Sequence, residues 1–247
     1  MNDNFIDCFE LADKGKATHN GIKIATRNEP ILRYKLGRDV VQLLAMLTML
    51  IDHVGLVFFS GQEIWRIIGR IAFPLYVYGL VQGYIHTSSR PRYMFRLGMI
   101  ALLSQIPYQL AINPYGLNVV VSLLAGAVVL HILDRSDSLL LSIGIVAAAS
   151  IVMEMFPFDY GAYGLLLILI FRYSPAYLLV PWHLMLNMLY LFLNSWELQL
   201  WSLLPTILIA YGPLVWKRIE SFRVPSWIWR SFYPLHMLLL ATIQLWK

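Results

Sequence analysis

Long apolar stretches, separated by short polar or charged turns, fill the chain from about residue 40 onwards. A membrane-spanning helix needs about 20 mostly apolar residues, and none of these stretches shows the alternation expected of a barrel strand. The pattern therefore predicts an all-α, polytopic membrane bundle with about nine spans. The predicted spans lie near 41–59, 64–86, 94–112, 117–133, 138–155, 160–173, 176–193, 197–216 and 228–246.

Residues 1–39 differ from the remainder because they are polar and carry charges of both signs. They contain no apolar core of a signal peptide, so we expect the first hydrophobic segment to stay in the mature protein. The sequence thus predicts a cytosolic N-terminal tail over 1–39, near anionic lipid, and a single membrane domain over 40–247.

The charges in the turns predict the orientation of the bundle. Basic residues concentrate in the tail and in alternate turns, whereas the turns between them are mainly acidic. Cytoplasmic loops are enriched in Lys and Arg, so the pattern places the N-terminus in the cytoplasm. The inner turns include Arg90, Arg92, Arg135 and Arg172, and the outer turns include Glu63, Glu154, Asp159 and Glu197.

Composition narrows the class of protein further. Hydrophobic residues make up 59% of the 247 residues and charged residues 13%, which excludes a soluble enzyme of ordinary composition. The single Cys8 excludes an intrachain disulfide and a cysteine-based metal site, and we expect no metal. The net charge of +5 is explained by basic residues that orient the protein in the membrane and contact anionic lipid. We therefore expect no nucleic-acid partner.

Ionisable residues inside the first two spans are the strongest candidates for function, because such residues are costly in a membrane. Arg66 and Arg70 are four residues apart and share a helix face that points towards Asp52 of the preceding span. His53 lies about 100° around the helix from Asp52 and faces a different neighbour. A neutral His53 is a candidate general base. The alternative is a structural role, in which these four side chains bond one another and hold the two helices together.

The last span carries a second polar cluster. Tyr233 and His236 are three residues apart and share a face, and Pro234 loosens the helix between them. His236 is therefore a competing candidate for the base. Tyr233 and further polar residues near helix ends are predicted to contact a substrate. The further residues are Gln82, Gln105, Asn118, Asp159 and Tyr160.

A basic turn lies on the predicted inner face. Arg90, Arg92 and Arg96 can contact either the phosphates of a cytosolic cofactor or lipid headgroups, and the residues alone favour lipid. The chain has no Walker loop, GxGxxG, HExxH or GxSxG motif, so ATP-driven transport, metalloprotease and serine-hydrolase functions have no support.

Several of these segments, in this order and spacing, resemble the TraX family. The most specific blocks are 46–55, with its Asp-His-Val-Gly, and 65–75, with its Gly-Arg-Ile-Ala-Phe-Pro. The further matching segments are 82–84, 104–107, 117–119, 159–164 and 233–236. The resemblance extends over about 40–240, whereas the tail 1–39 has no counterpart in it.

The resemblance implies an enzyme. The TraX family is named for an integral membrane protein that N-acetylates a conjugative pilin at its amino terminus, and it is similar in outline to multi-span membrane acyltransferases. It implies a bacterial inner-membrane acetyltransferase that moves an acetyl group from acetyl-CoA to an amine or hydroxyl of a peptide, pilin-like or glycan acceptor. Arg66 and Arg70 would orient Asp52 or stabilise an oxyanion, and Arg90, Arg92 and Arg96 would hold the phosphates.

Two other functions remain open from the sequence. A transporter or flippase for a small polar or lipid-linked substrate would use the same polar cluster as a translocation site. A non-enzymatic membrane partner would tolerate replacement of the intramembrane polar residues. Direct attack on a thioester is favoured over an acyl-enzyme, because the spans contain no cysteine and no activated serine is evident.

Overall fold

The computed structural model describes residues 38–211 and 225–246. Within these ranges the chain is helical, and its only β pairing is an isolated bridge between Leu117 and Phe158. The α-helices are α1 (Arg38–Phe58), α2 (Glu63–Gly69), α3 (Ala72–His86), α4 (Arg90–Ala111), α5 (Val119–Leu133), α6 (Leu139–Met155), α7 (Gly161–Tyr173), α8 (Ala176–Asn194), α9 (Leu203–Tyr211) and α10 (Ser226–Leu245), with a 3-10 helix at Glu197–Ser202 before α9.

The all-helical prediction is confirmed, and each of the nine predicted segments coincides with helix. Two segments differ in detail. The predicted helix 64–86 is two helices, and the predicted helix 197–216 begins as a 3-10 turn. The end of that segment, and the predicted tail up to residue 37, lie outside the described residues.

The break in the second segment falls at Arg70 and Ile71 and has a local cause. Pro74 stands four residues after Arg70 and has no N–H to bond the Arg70 carbonyl. The backbone N–H of Arg70 closes the last turn of α2 on the carbonyls of Arg66 and Ile67. As a result, α2 ends at Gly69, directly before the charged Arg70, and a new helix, α3, begins at Ala72.

The apolar exterior of the bundle suits a bilayer. Within the described residues, three stretches are long and apolar enough to cross a membrane, namely Asp39–Phe58, Glu63–His86 and Ala176–Asn194. Large apolar side chains also face outward, with Leu102 on α4 70% exposed and Phe192 on α8 81% exposed. Lipid is the environment that stabilises such a surface. The number of complete crossings stays a prediction.

The interior is centred on α3 and α7. Val77 and Tyr84 of α3, with Leu167 and Ile168 of α7, are completely buried. A second interior feature is polar: Tyr163 of α7 bonds both Asn187 and His183 of α8, at 2.8 and 2.9 Å. His183 also bonds Thr206 of α9 at 2.7 Å, so this network joins three helices. We assign it to packing.

Glycines allow α1 and α2 to approach closely. A Cβ added at Gly69 would overlap the carboxyl group of Asp52, and one added at Gly55 would overlap Trp65. The short turn 59–62 makes α1 and α2 adjacent and antiparallel. The absence of a side chain at Gly69 therefore gives the Asp52 carboxyl group the space it occupies against α2.

We expect Gly69→Ala to lower the free energy of unfolding by about 1–3 kcal/mol, the usual cost of forcing atoms into a packed interface. The measurement is thermal unfolding of the detergent-purified protein. The matched control is Gly79→Ala on α3, where an added Cβ meets nothing within 4 Å. This control gains about 0.5–1 kcal/mol because alanine favours helix. Equal effects of the two substitutions would contradict the close-approach assignment.

Candidate functional site

Two histidines from distant parts of the chain meet inside the bundle. His53 of α1 and His236 of α10 are 7% and 6% exposed, and the Nδ1 atom of His53 lies 2.9 Å from the Nε2 atom of His236. Their rings are nearly coplanar, at an interplanar angle of 8°. The structure thus joins the two residues that the sequence proposed as competing bases.

Their hydrogen bonds define which nitrogen of each ring carries the proton. The Nδ1 atom of His236 lies 2.8 Å from the carbonyl oxygen of Phe232, which can only accept, so Nδ1 donates. With both rings neutral, Nε2 of His236 is then an acceptor, and Nδ1 of His53 donates to it. The Nε2 atom of His53 keeps its lone pair and has no hydrogen-bond partner among the described residues.

Asp52 faces away from this pair, as predicted from its position next to His53. Its two carboxyl oxygens accept from the same Arg66 nitrogen at 2.8 and 2.9 Å, which ties α1 to α2. The charges of Asp52 and Arg66 therefore neutralise each other between the helices. Since adjacent residues on a helix point about 100° apart, this contact turns His53 towards α10.

A second acid and a second arginine lie beside this ion pair. Asp159 is in the segment 156–160 that joins α6 to α7, and the charges of Arg70, Arg66 and Asp52 all act on it. Tyr108 of α4 lies close enough to the Asp159 carboxyl group for each to act on the other. Burial, reinforced by the charge of Asp52, raises the pKa of Asp159 to about 6 against the opposing effect of the two arginines.

Donors without partners also occur here. The Nε atom of Arg70 and the hydroxyl of Tyr233 are buried and have no hydrogen-bond partner within residues 38–211 and 225–246. The ring of Tyr233 lies edge-on to both histidines, with centroid distances of 6.3 Å to His53 and 5.3 Å to His236. Buried donors without partners are costly, so these two are suited to bind an acceptor atom of a ligand.

All five predicted catalytic residues, and part of the predicted substrate set, therefore form one cluster. The cluster contains Asp52, His53, Arg66, Arg70, Asp159, Tyr160, Tyr233 and His236. Within it, Tyr160 stacks on Phe73 of α3 at a centroid distance of 3.7 Å. The two arginines balance the two acids, so with both histidines neutral the cluster is close to neutral. We name this set the His53–His236 cluster.

Gln105 and Asn118 serve the fold in the structure. The amide nitrogen of Asn118 donates to the carbonyl of Ala101 and to the side chain of Gln105, both at 2.8 Å. The amide oxygen of Asn118 caps α5 by accepting from Val120 and Val121. The hydrogen-bonding capacity of Asn118 is thereby filled. These bonds favour a structural role, and the predicted role in substrate binding stays untested.

Gln82 lies far along α3 from the cluster. It is ten residues after Ala72, which corresponds to about 15 Å along the helix axis. Its backbone carbonyl bonds the His86 ring at 2.9 Å. The structure thus does not bring Gln82 to the His53–His236 cluster.

The three arginines predicted to hold phosphates have different surroundings. Arg90 is 3.0 Å from Asp134, which also binds Arg172 at 3.6 Å. One carboxylate is shared by two arginines, so the charge of Arg90 is partly compensated. Arg92 and Arg96 are exposed on α4 and have no carboxylate within 4.0 Å in the described part of the chain. Of the three, Arg92 and Arg96 fit an anionic ligand better.

Tyr108 is a site residue that sequence reasoning missed. It directly follows the segment 104–107, and it is only 3% exposed. A tyrosine one residue after a proline in an otherwise apolar span was the available signal. As for metals, the described residues contain no group of three or more His, Cys, Asp or Glu side chains that would hold one.

We expect Asp159→Asn to change the pH dependence of stability. Because the pKa of Asp159 is about 6 in the folded protein and 3.8 in its usual surroundings, the folded state binds this proton more tightly. The free energy of unfolding then falls as pH rises from about 4 to about 6. The variant lacks this decrease, so relative to wild type it gains stability between pH 4.5 and 7.5 in thermal unfolding. If the difference in stability between variant and wild type were the same at pH 4.5 and at pH 7.5, the raised pKa of Asp159 would be contradicted.

The sequence comparisons agree with this architecture. The family described as TraX protein matches residues 37–244, which includes every residue of the His53–His236 cluster. No curated protein and no solved structure matches the chain. The match extends over most of the chain, and this protein belongs to the TraX family.

Proposed function

We propose that the protein is a membrane acetyltransferase in which His53 is the general base and acetyl-CoA is the acyl donor. The observation that carries the proposal is the Nε2 lone pair of His53, which has no hydrogen-bond partner among the described residues while Nδ1 donates to His236. Membership of the TraX family supports acetylation as the reaction, since the family is associated with pilin acetylation. The acceptor is an amine or hydroxyl, for which a pilin-like peptide N-terminus is the first candidate.

His53 acts on the acceptor. Its Nε2 takes the proton of a neutral amine or hydroxyl as the nitrogen or oxygen attacks the thioester carbonyl. The new imidazolium keeps its Nδ1–H bond to His236, which orients the ring through its own bond to Phe232. The C–S bond then breaks, and His53 returns the proton to the departing CoA sulfur. No acyl-enzyme is formed.

The unpartnered donors support the step at which negative charge develops. The Tyr233 hydroxyl and the Arg70 Nε–H are buried, so water does not compete fully with them. Donors that are already oriented towards a developing oxyanion lower the barrier without reorganisation. Arg66 donates to Asp52, whereas the Nε–H of Arg70 has no partner among the described residues and is available to an oxyanion.

The phosphates of the donor would lie at the inner face. Arg92 is exposed on the first turn of α4 and has no carboxylate within 4.0 Å in residues 38–211 and 225–246, so it suits a contact with phosphate. Arg90 is paired with Asp134 and is a weaker candidate than the sequence indicated. The inner membrane of a bacterium is the localisation that this use of cytosolic acetyl-CoA requires.

The test is acetyl transfer from labelled acetyl-CoA to a peptide amine by the full-length protein in liposomes. We expect His53→Ala to lower kcat by about 10²–10⁴-fold, the usual contribution of a general base. His236→Ala should cause a smaller loss. His236→Gln should recover part of that loss, because its amide oxygen can accept the His53 Nδ1–H bond.

The matched control is His86→Ala, which removes an exposed histidine that bonds its own helix. It should leave kcat unchanged. Full activity of His53→Ala would exclude His53 as the base. Movement of an unmodified substrate across the liposome, with no acetyl transfer, would instead establish a transporter.

A further inference from the structure

A second feature, outside the His53–His236 cluster, is a cleft between α4 and α10. It has a volume of about 460 Å³. Its walls are mostly apolar, and Leu103 and Leu235 are 60% and 59% exposed, so the cleft opens towards the surroundings of the bundle. In a bilayer, the occupant of an open apolar cleft on the exterior is a lipid chain.

Two arginines line the same cleft. Arg96 comes from α4 and Arg230 from α10, and neither has a carboxylate within 4.0 Å among the described residues. Arg96 lies over the ring of Tyr93, at 6.0 Å from its centroid. Two uncompensated guanidinium groups beside one cleft repel each other unless an anion lies between them. Arginine is the side chain best suited to a phosphate oxygen.

The cleft is separated from the proposed catalytic centre by the body of α10. Pro234 and Leu235 line the cleft, whereas Tyr233 and His236 of the same turn contact His53. A donor in the cleft would therefore lie on the wrong side of α10 to reach the base. This separation argues that the cleft holds a lipid, with acetyl-CoA bound elsewhere.

We propose that this cleft is a binding site for an anionic phospholipid of the inner leaflet. Its acyl chain lies along Leu103 and Leu235, and its phosphate lies between Arg96 and Arg230. Both helices begin at the predicted inner face, which places the arginines at headgroup depth. A lipid with net negative charge is favoured over a zwitterionic one because two cations of the cleft remain to be neutralised.

The test measures lipid retained by the detergent-purified full chain in native mass spectrometry, with phosphatidylglycerol and phosphatidylcholine as probes. We expect wild type to prefer phosphatidylglycerol. Combined Arg96→Gln and Arg230→Gln should weaken that binding about 30-fold, because each arginine contributes slightly more than about fivefold. Arg92→Gln is the matched control, because Arg92 is exposed on α4 and does not line the cleft. It should retain the preference.

A second variant tests the acyl-chain half of the site without changing charge. Leu103→Trp fills the cleft from an exposed position, so it leaves the interior of the bundle unaltered and should lower phosphatidylglycerol binding. Equal retention of both lipids by wild type, or unchanged retention by the double arginine variant, would overturn the proposal. Displacement of the lipid by CoA would also overturn it.

Discussion

The ion pair between Asp52 and Arg66 is the contact on which the arrangement of the site depends. A carboxylate inside an apolar bundle is costly unless a cation neutralises it, and here Arg66 meets both of its oxygens within 2.9 Å. The pair holds α1 against α2. Because His53 follows Asp52 directly, the same contact determines the direction in which the imidazole of His53 points.

Several local features serve this contact. Gly69 leaves space for the Asp52 carboxyl group, and Pro74 interrupts the helix after Arg70. The segment 156–160 brings Asp159 to the same region, and α10 supplies Tyr233 and His236. Residues from four separate parts of the chain thus surround one nearly neutral cluster. This arrangement offsets the free-energy cost of placing charges in a membrane. It leaves Nε2 of His53 without a partner among the described residues and so available for chemistry.

Periodicity and loop length predicted the helices well, since long apolar runs and short turns leave few alternatives. Asp52 and Arg66 were also predictable as partners, because four-residue turns make consecutive spans adjacent. The bond between His53 and His236 was not predictable, since 183 residues separate them and only tertiary packing brings α10 to α1. The same reason explains why Tyr108 was missed and why Arg96 and Arg230 were not recognised as neighbours.

Local hydrogen bonds changed the interpretation of other residues. Asn118 and Gln105 looked available in the sequence, but their side chains are bonded at the start of α5. Arg90 looked available for phosphate, but it is bonded to Asp134, which compensates part of its charge. A sequence shows which residues are polar, whereas only the folded chain shows which of them have hydrogen-bonding capacity left for a ligand.

The most direct test of the account is a double-mutant cycle of Asp52→Asn and Arg66→Gln, measured as thermal stability and as acetyl transfer. Removing one partner leaves the other charge uncompensated, which costs about 3–5 kcal/mol for a fully buried pair and less for this partly exposed one. The account predicts that the double variant loses much less than the sum of the two single losses, in both measurements. Losses that simply add would show that the pair does not act as a unit, and would contradict its role in positioning His53.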